Sequence, residues 1–199
     1  MKESSSSFPH TTLAFARSGR SFVATEVDDA TLAQHARQLR DWYNAAENAS
    51  MIGGATDLDD TDVRAFVREL RASGGRWFLL FVDDTLVGDM DLRCVTEHSA
   101  EFAIMIGATT QKGQGLGATF ATMLHVFAFR DLGLERIYVQ PKRENVRVQR
   151  LERSLGYTPD DSPEALSHAD AGDDVITMSI SADTFRAGHA EAWANVDVS

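Results

Sequence analysis

The 199-residue chain holds a single cysteine, Cys94, which excludes an internal disulfide and any CxxC-type metal site. Its setting in the apolar-alternating stretch Leu92-Arg93-Cys94-Val95 reads as a small core residue in a reducing compartment. Positive charge is scarce: 19 Lys plus Arg stand against 30 Asp plus Glu, a net charge of −11. Such a surface repels a phosphate backbone and an anionic bilayer, so neither nucleic acid nor membrane is expected as a partner. No stretch approaches the roughly 18 uncharged apolar residues of a membrane span. The start, Met1-Lys2-Glu3-Ser4-Ser5-Ser6-Ser7, has no apolar run long enough for a signal-peptide core, and the expected location is the cytoplasm. No internal repeat and no dividing linker appears.

What remains is an ordinary globular chain, 43% hydrophobic and 25% charged, long enough to bury roughly 70% of its unfolded surface. Residues 1–10 read as a disordered tip, 11–181 as one domain and 182–199 as a tail carrying Phe185 and Trp193, which docks on the domain or on a second copy. Residues 12–17 and 20–25 flank Ser18-Gly19 as a hairpin. A helix opens at Asp28 with Leu32, Ala36, Leu39 and Tyr43 on one face, and a second spans 61–71, with a loop carrying Gly53-Gly54 between them. The period then shortens to two at 77–82, 86–92 and 101–106. A long helix over 115–132, a strand at 136–139, a helix at 145–155 and a closing strand at 175–180 complete an α/β fold. It is a mixed, mostly antiparallel central sheet with helices on both faces.

The segment Lys112-Gly113-Gln114-Gly115-Leu116-Gly117 stands where a strand gives way to the longest helix. Helix starts leave unpaired N–H groups and a partial positive charge, and glycines let an oxyanion approach the backbone. The spacing fits neither the P-loop nor the dinucleotide fingerprint. A glycine-rich turn that merely packs strand against helix gives the same pattern.

These six residues, with 134–139 and Asn145-Val146-Arg147 through Leu155-Gly156-Tyr157, resemble the R/Q-x-x-G-x-G/A turn, following strand and N-x-R-A…L-G-F/Y helix of the GNAT superfamily of N-acetyltransferases. The resemblance covers about 60 residues in the right order. The N-terminal half, with Asp41-Trp42-Tyr43 after the first helix, looks like the Rim-type branch that acetylates protein N-termini and small amines. The resemblance implies acetyl-CoA as co-substrate, its pyrophosphate on amides of Lys112, Gly113, Gln114, Gly115, Leu116 and Gly117. The pantetheine would lie along Met105, Ile106 and Gly107, with Asn145 touching the cofactor or acceptor. An Asn at a helix start is also an ordinary cap.

Direct attack by a lysine-like amine requires its deprotonation, about 4.6 kcal/mol at pH 7 for a pKa of about 10.4, so a base is expected. Glu101 is the candidate. With period two, Glu101, Ala103 and Met105 share a face, as do Asp89, Asp91 and Arg93 on the neighbouring strand. Asp91 is thus a second catalytic candidate, and Asp89, Trp42 and Tyr43 are candidates for the acceptor pocket, with Met51 beside them. The plain alternatives are a solvated polar sheet face with Arg93 paired to an aspartate, and core aromatics. In many relatives a tyrosine seven residues after the motif asparagine protonates the departing thiolate; here that position is Glu152, which could donate only if burial raised its pKa. Lys112 departs from the R/Q position but keeps a cation there.

The acidic stretch 159–174, with no Lys or Arg, either attracts a cationic amine or is simply solvated. The expected activity is acetyl transfer to a primary amine of a small molecule, amino sugar or peptide N-terminus, without a metal, in a possible homodimer. The alternative is a degenerate acyl-CoA-binding sensor or interaction module.

Overall fold

The computed structural model describes residues 10–52, 57–169 and 174–199. The chain opens with the expected hairpin, β1 (Thr12–Arg17) and β2 (Arg20–Glu26), turned by Ser18 and Gly19, both left-handed at φ 52° and 75°. Helix α1 (Asp29–Asn44) starts where the Asp28 carboxylate accepts from the Thr31 amide, filling one of the orphan donors of the first turn. Where a loop is expected, a short helix follows, α2 (Ala46–Ile52). The side chain of Met51, and Gly53 and Gly54, lie outside the described residues. Helix α3 (Asp60–Ala72) begins with a reciprocal capping box between Asp59 and Asp62.

Strands β3 (Arg76–Val82), β4 (Thr85–Arg93) and β5 (Ser99–Ile106) then form an antiparallel meander. Helix α4 is shorter than expected, Leu116–Val126, because the winding loosens to a π-turn over Phe127–Asp131. There the Leu132 amide reaches back to the Phe127 carbonyl, and Phe127, Ala128 and Phe129 are all buried, which a single helical face does not achieve. After β6 (Arg136–Val139) come α5 (Val146–Leu155), β7 (Thr158–Pro159), α6 (Pro163–Ser167) and β8 (Met178–Ser181). Helix α6 lies inside the stretch expected as a plain acidic loop, and β8 starts later than expected, with Val175 making only an isolated bridge to Lys142.

The tail forms α7 (Ala182–Gly188), α8 (Ala190–Asn195) and β9 (Asp197–Val198), and β9 pairs with β1. Arg130 clasps this return by donating to the Trp193 and Val196 carbonyls at 2.8 and 3.0 Å. The result is one nine-stranded sheet in the order β7-β8-β6-β5-β4-β3-β2-β1-β9, antiparallel except between β5 and β6. Alternation along β3 sends Phe78, Leu80 and Val82 to the α4 side and Trp77 and Leu79 to the α1 and α3 side, so each face has its own core. Each fully buried Leu or Phe of these cores contributes about 1.5–3 kcal/mol over its exposed state. Among the described residues, no helix is long and apolar enough to cross a membrane.

Candidate active site

The parallel pair that joins the two halves of the sheet is brief. Ser99, Ala100 and Glu101 face Arg136, Ile137 and Tyr138; past this point β5 runs on to Ile106 while β6 ends at Val139. The two strands therefore part beside Met105 and Ile106, and among the described residues β5 has no ladder partner on its β6 side beyond Glu101. At the end of β5 the chain crosses Trp42 of α1. A Cβ at Gly107 would overlap the Trp42 indole, so glycine is required for that contact. The Gly107 amide itself donates to the Val87 carbonyl at 3.0 Å.

The glycine turn follows at once. Gly113 and Gly115 are left-handed at φ 84° and 77°, and a Cβ built on either would meet no protein atom within 4 Å. Gly115 is the N-cap of α4 and supplies no side chain to its orphan amides. Among the described residues, no backbone carbonyl takes up the amides of 113–118. Lys112 behaves differently from its expected role. Its amide turns back to the Thr109 carbonyl, and its ammonium is held by Asn48 Oδ1 at 2.7 Å and Glu47 Oε1 at 2.9 Å on α2. A cation that sequence reading passed over also stands nearby: Arg20, at the hairpin tip, pairs with Asp83 Oδ2 at 3.1 Å and donates to Gln114 Oε1 at 3.3 Å. The β1–β2 turn delivers it, and only the fold brings those two segments together.

Asn145 caps α5, its Oδ1 accepting from the Val148 amide at 3.2 Å. Glu152, seven residues on, faces inward and is 4% exposed; its Oε2 has no hydrogen-bond partner among the described residues. Burial pushes its carboxyl up to about 8, against a small opposing pull from Arg153. Tyr157 is committed elsewhere. Nδ1 of the fully buried His125 lies 2.6 Å from the Ala121 carbonyl, which only accepts, so Nδ1 carries the proton and Nε2 accepts from the Tyr157 hydroxyl at 2.6 Å. Burial holds His125 neutral, down at about 3, and holds the Tyr157 hydroxyl well above its ordinary range.

The register of β4 against β5 assembles the expected carboxylate row: Asp89 faces Met105, Asp91 faces Ala103 and Arg93 faces Glu101. The three carboxylates have different surroundings. Asp91, the second catalytic candidate, accepts from Arg93 through both oxygens at 2.7 Å, the pairing that the plain alternative named. Asp89 is 3% exposed and accepts from Tyr43 Oη at 2.6 Å and Trp77 Nε1 at 2.9 Å, both on Oδ2, while Oδ1 has no partner among the described residues. Burial raises it to about 7 although both donors pull the other way. Glu101 is half-buried, with His168 Nδ1 at 3.7 Å and Cys94 Sγ at 3.9 Å from its Oε2. Cys94 is exposed, a correction to its expected place in the core.

The acetyltransferase (GNAT) domain family matches residues 24–158. No curated protein sequence matches the chain. Among solved structures, Mycobacterium smegmatis RimJ in complex with CoA-disulfide superposes with a TM-score of 0.72 at 16% identity, covering 96% of this chain and 97% of that one. Spermidine N-acetyltransferase from Vibrio cholerae, in complex with CoA and spermine, gives a TM-score of 0.68 at 19% identity over 82% of this chain and 97% of its own. An aminoglycoside acetyltransferase in complex with coenzyme A gives 0.68 at 15% identity over 83% and 98%. Strand order, the parting of β5 from β6, the bared turn ahead of α4 and the match across two thirds of the sequence converge: the chain belongs to the GNAT family of N-acetyltransferases.

Proposed function

We propose that the protein transfers an acetyl group from acetyl-CoA to a primary amine by direct attack. The observation that carries the reading is the run of amides at 113–118, taken up by no backbone carbonyl among the described residues and presented by two left-handed glycines at the positive end of α4. The pyrophosphate sits on these amides from Gly113 to Gly117, with Arg20 and Gln114 at its edge. Lys112 acts indirectly, by tying the turn to α2. Pantetheine lies along Met105, Ile106 and Gly107 at the open edge of β5, and Asn145, the cap of α5, touches the cofactor or the acceptor.

The acceptor enters from the α1 side, past Trp42, Tyr43 and Asp89. Glu101, four residues back along β5 from Met105, takes the amine proton through a chain of waters, and the amine nitrogen attacks the thioester carbonyl carbon. An amide of β5 near Met105 or Ile106 stabilises the oxyanion. As the carbon–sulfur bond breaks, the thiolate takes its proton from Glu152, a carboxyl that burial keeps protonated at neutral pH. The neighbours named above include a spermidine and an aminoglycoside acetyltransferase, which supports a small amine or a peptide N-terminus as acceptor here.

The test is release of free CoA thiol from acetyl-CoA with a panel of polyamine, aminoglycoside and peptide acceptors. Turnover with at least one acceptor is expected. Tight acetyl-CoA binding without thiol release from any of them supports the sensor reading, which the replacement of tyrosine by Glu152 favours. No binding of acetyl-CoA at all removes both.

A further inference from the structure

Beside the proposed base, three metal-type donors from three separate elements converge. Cys94 lies in the turn after β4, Glu101 at the start of β5, and His168 at the C-terminal end of α6. Their Sγ, carboxylate O and ring N all lie within 4.8 Å of one another, with 3.9 Å from Sγ and 3.7 Å from Nδ1 to the same Glu101 oxygen. A tetrahedral zinc ion with bonds of about 2.0–2.3 Å sets its ligands about 3.4–3.6 Å apart, so the two edges to Glu101 contract by a few tenths of an ångström and the Cys94–His168 edge, within 4.8 Å, by no more than about 1.3 Å. The His168 ring is stacked on Tyr138 at 4.6 Å, which fixes its plane. Among the described residues, Arg93 with its partner Asp91 from β4 and Glu164 from α6 act on Cys94 and His168. A thiolate, an imidazole and a carboxylate together suit a borderline-soft divalent ion, leaving a fourth position for water.

We propose that Cys94, Glu101 and His168 form a binding site for a zinc-class divalent cation. Binding releases the Cys94 thiol proton to solvent. Absence of CxxC spacing could not reveal the site, because its donors are scattered along the chain and meet only through the β4–β5 register and the return of α6. The ion takes the carboxylate assigned above as base, so occupancy inhibits acetyl transfer; this second clause rests on that reading, whereas the site does not.

Metal-free protein titrated with zinc in a calorimeter, and with cobalt(II) as a spectroscopic probe, tests it. The expected result is one equivalent bound and a thiolate-to-cobalt charge-transfer band. Cys94→Ser abolishes the band, and His168→Gln keeps it. Each weakens zinc by more than the about 10–100-fold that loss of an outer-shell partner costs, with circular dichroism unchanged. A wild-type protein with no stoichiometric binding, or two folded variants that both bind like wild type, overturns the proposal. Saturating zinc is expected to stop acetyl transfer in wild type and spare it in Cys94→Ser. Zinc bound with transfer unimpaired overturns the inhibition and the assignment of Glu101 as base, while the binding data still decide the site.

Discussion

The glycine turn and the carboxylate row meet at the end of β5, yet they are built in opposite ways. The turn is contiguous, its six residues give it shape, and the groups it presents are main-chain amides that no substitution short of a change of backbone removes. The row is made of side chains set opposite one another by strand pairing, and each carboxylate takes its character from the side chains around it: Arg93, two residues on, for Asp91, Tyr43 and Trp77 for Asp89, Cys94 and the distant His168 beside Glu101. Backbone sites fail as a unit, and side-chain sites fail one function at a time. Substitutions in each region should therefore separate binding from turnover.

The largest effect is expected at Gly115. A valine there is forced to φ 77°, which strains a β-branched residue by about 1–3 kcal/mol, and its branched side chain projects into the open space proposed for the pyrophosphate. Acetyl-CoA binding by calorimetry should be abolished in a protein that still folds. Normal affinity in Gly115→Val would mean that the anion does not sit there.

Glu101→Gln should do the reverse, lowering kcat by about 100-fold or more while leaving acetyl-CoA affinity within a factor of about two. A parallel loss of both would show that the row and the turn act as one structural unit, and would dissolve the contrast.

How much of this was legible beforehand follows the same division. The turn, the helix behind it and the caps Asp28 and Asn145 are local patterns, and they stand where the sequence places them. The period-two reading of 86–92 and 101–106 put Asp89, Asp91 and Glu101 on one face, and the register agrees. The sequence is silent on what pairs across space. Asp91 is engaged by Arg93, an alternative that could be named but not decided, and Lys112 turns to α2, a helix too short to leave a periodic signal. The π-turn was hidden because Phe127, Ala128 and Phe129 continue an apolar run that α-helical spacing also accepts.

A third test weighs burial itself. Glu152 is raised to about 8 from an ordinary 4.5, so the folded state favours its protonated form. Its stabilising contribution is complete below about pH 4.5 and is lost as the pH climbs through about 8. Glu152→Gln, which cannot ionise, should therefore gain on wild type as pH rises from 5 to 8.5 and hold that gain above. The difference should reach the order of 2 kcal/mol, since the amide still buries an unpaired polar group. Thermal melts across that range read the gap directly, and a gap independent of pH would place the carboxyl in water. Turnover should also decline above about pH 8 as the thiolate loses its proton donor.

The smallest effect separates Lys112 from the turn it belongs to. Were its ammonium a phosphate ligand, Lys112→Gln would weaken acetyl-CoA about 10-fold, as loss of a charge-assisted bond does. With Nζ spent on Glu47 and Asn48, the substitution instead loosens α2 from the turn, an ion pair with one exposed member worth no more than about 1 kcal/mol. The expected result is a small drop in melting temperature with acetyl-CoA affinity changed by less than about threefold. That drop should shrink in high salt, because Glu47 is largely exposed and screening weakens the pair. A 10-fold loss of affinity without loss of stability would return the cation to the phosphate and make the turn, like the row, a site that depends on its side chains.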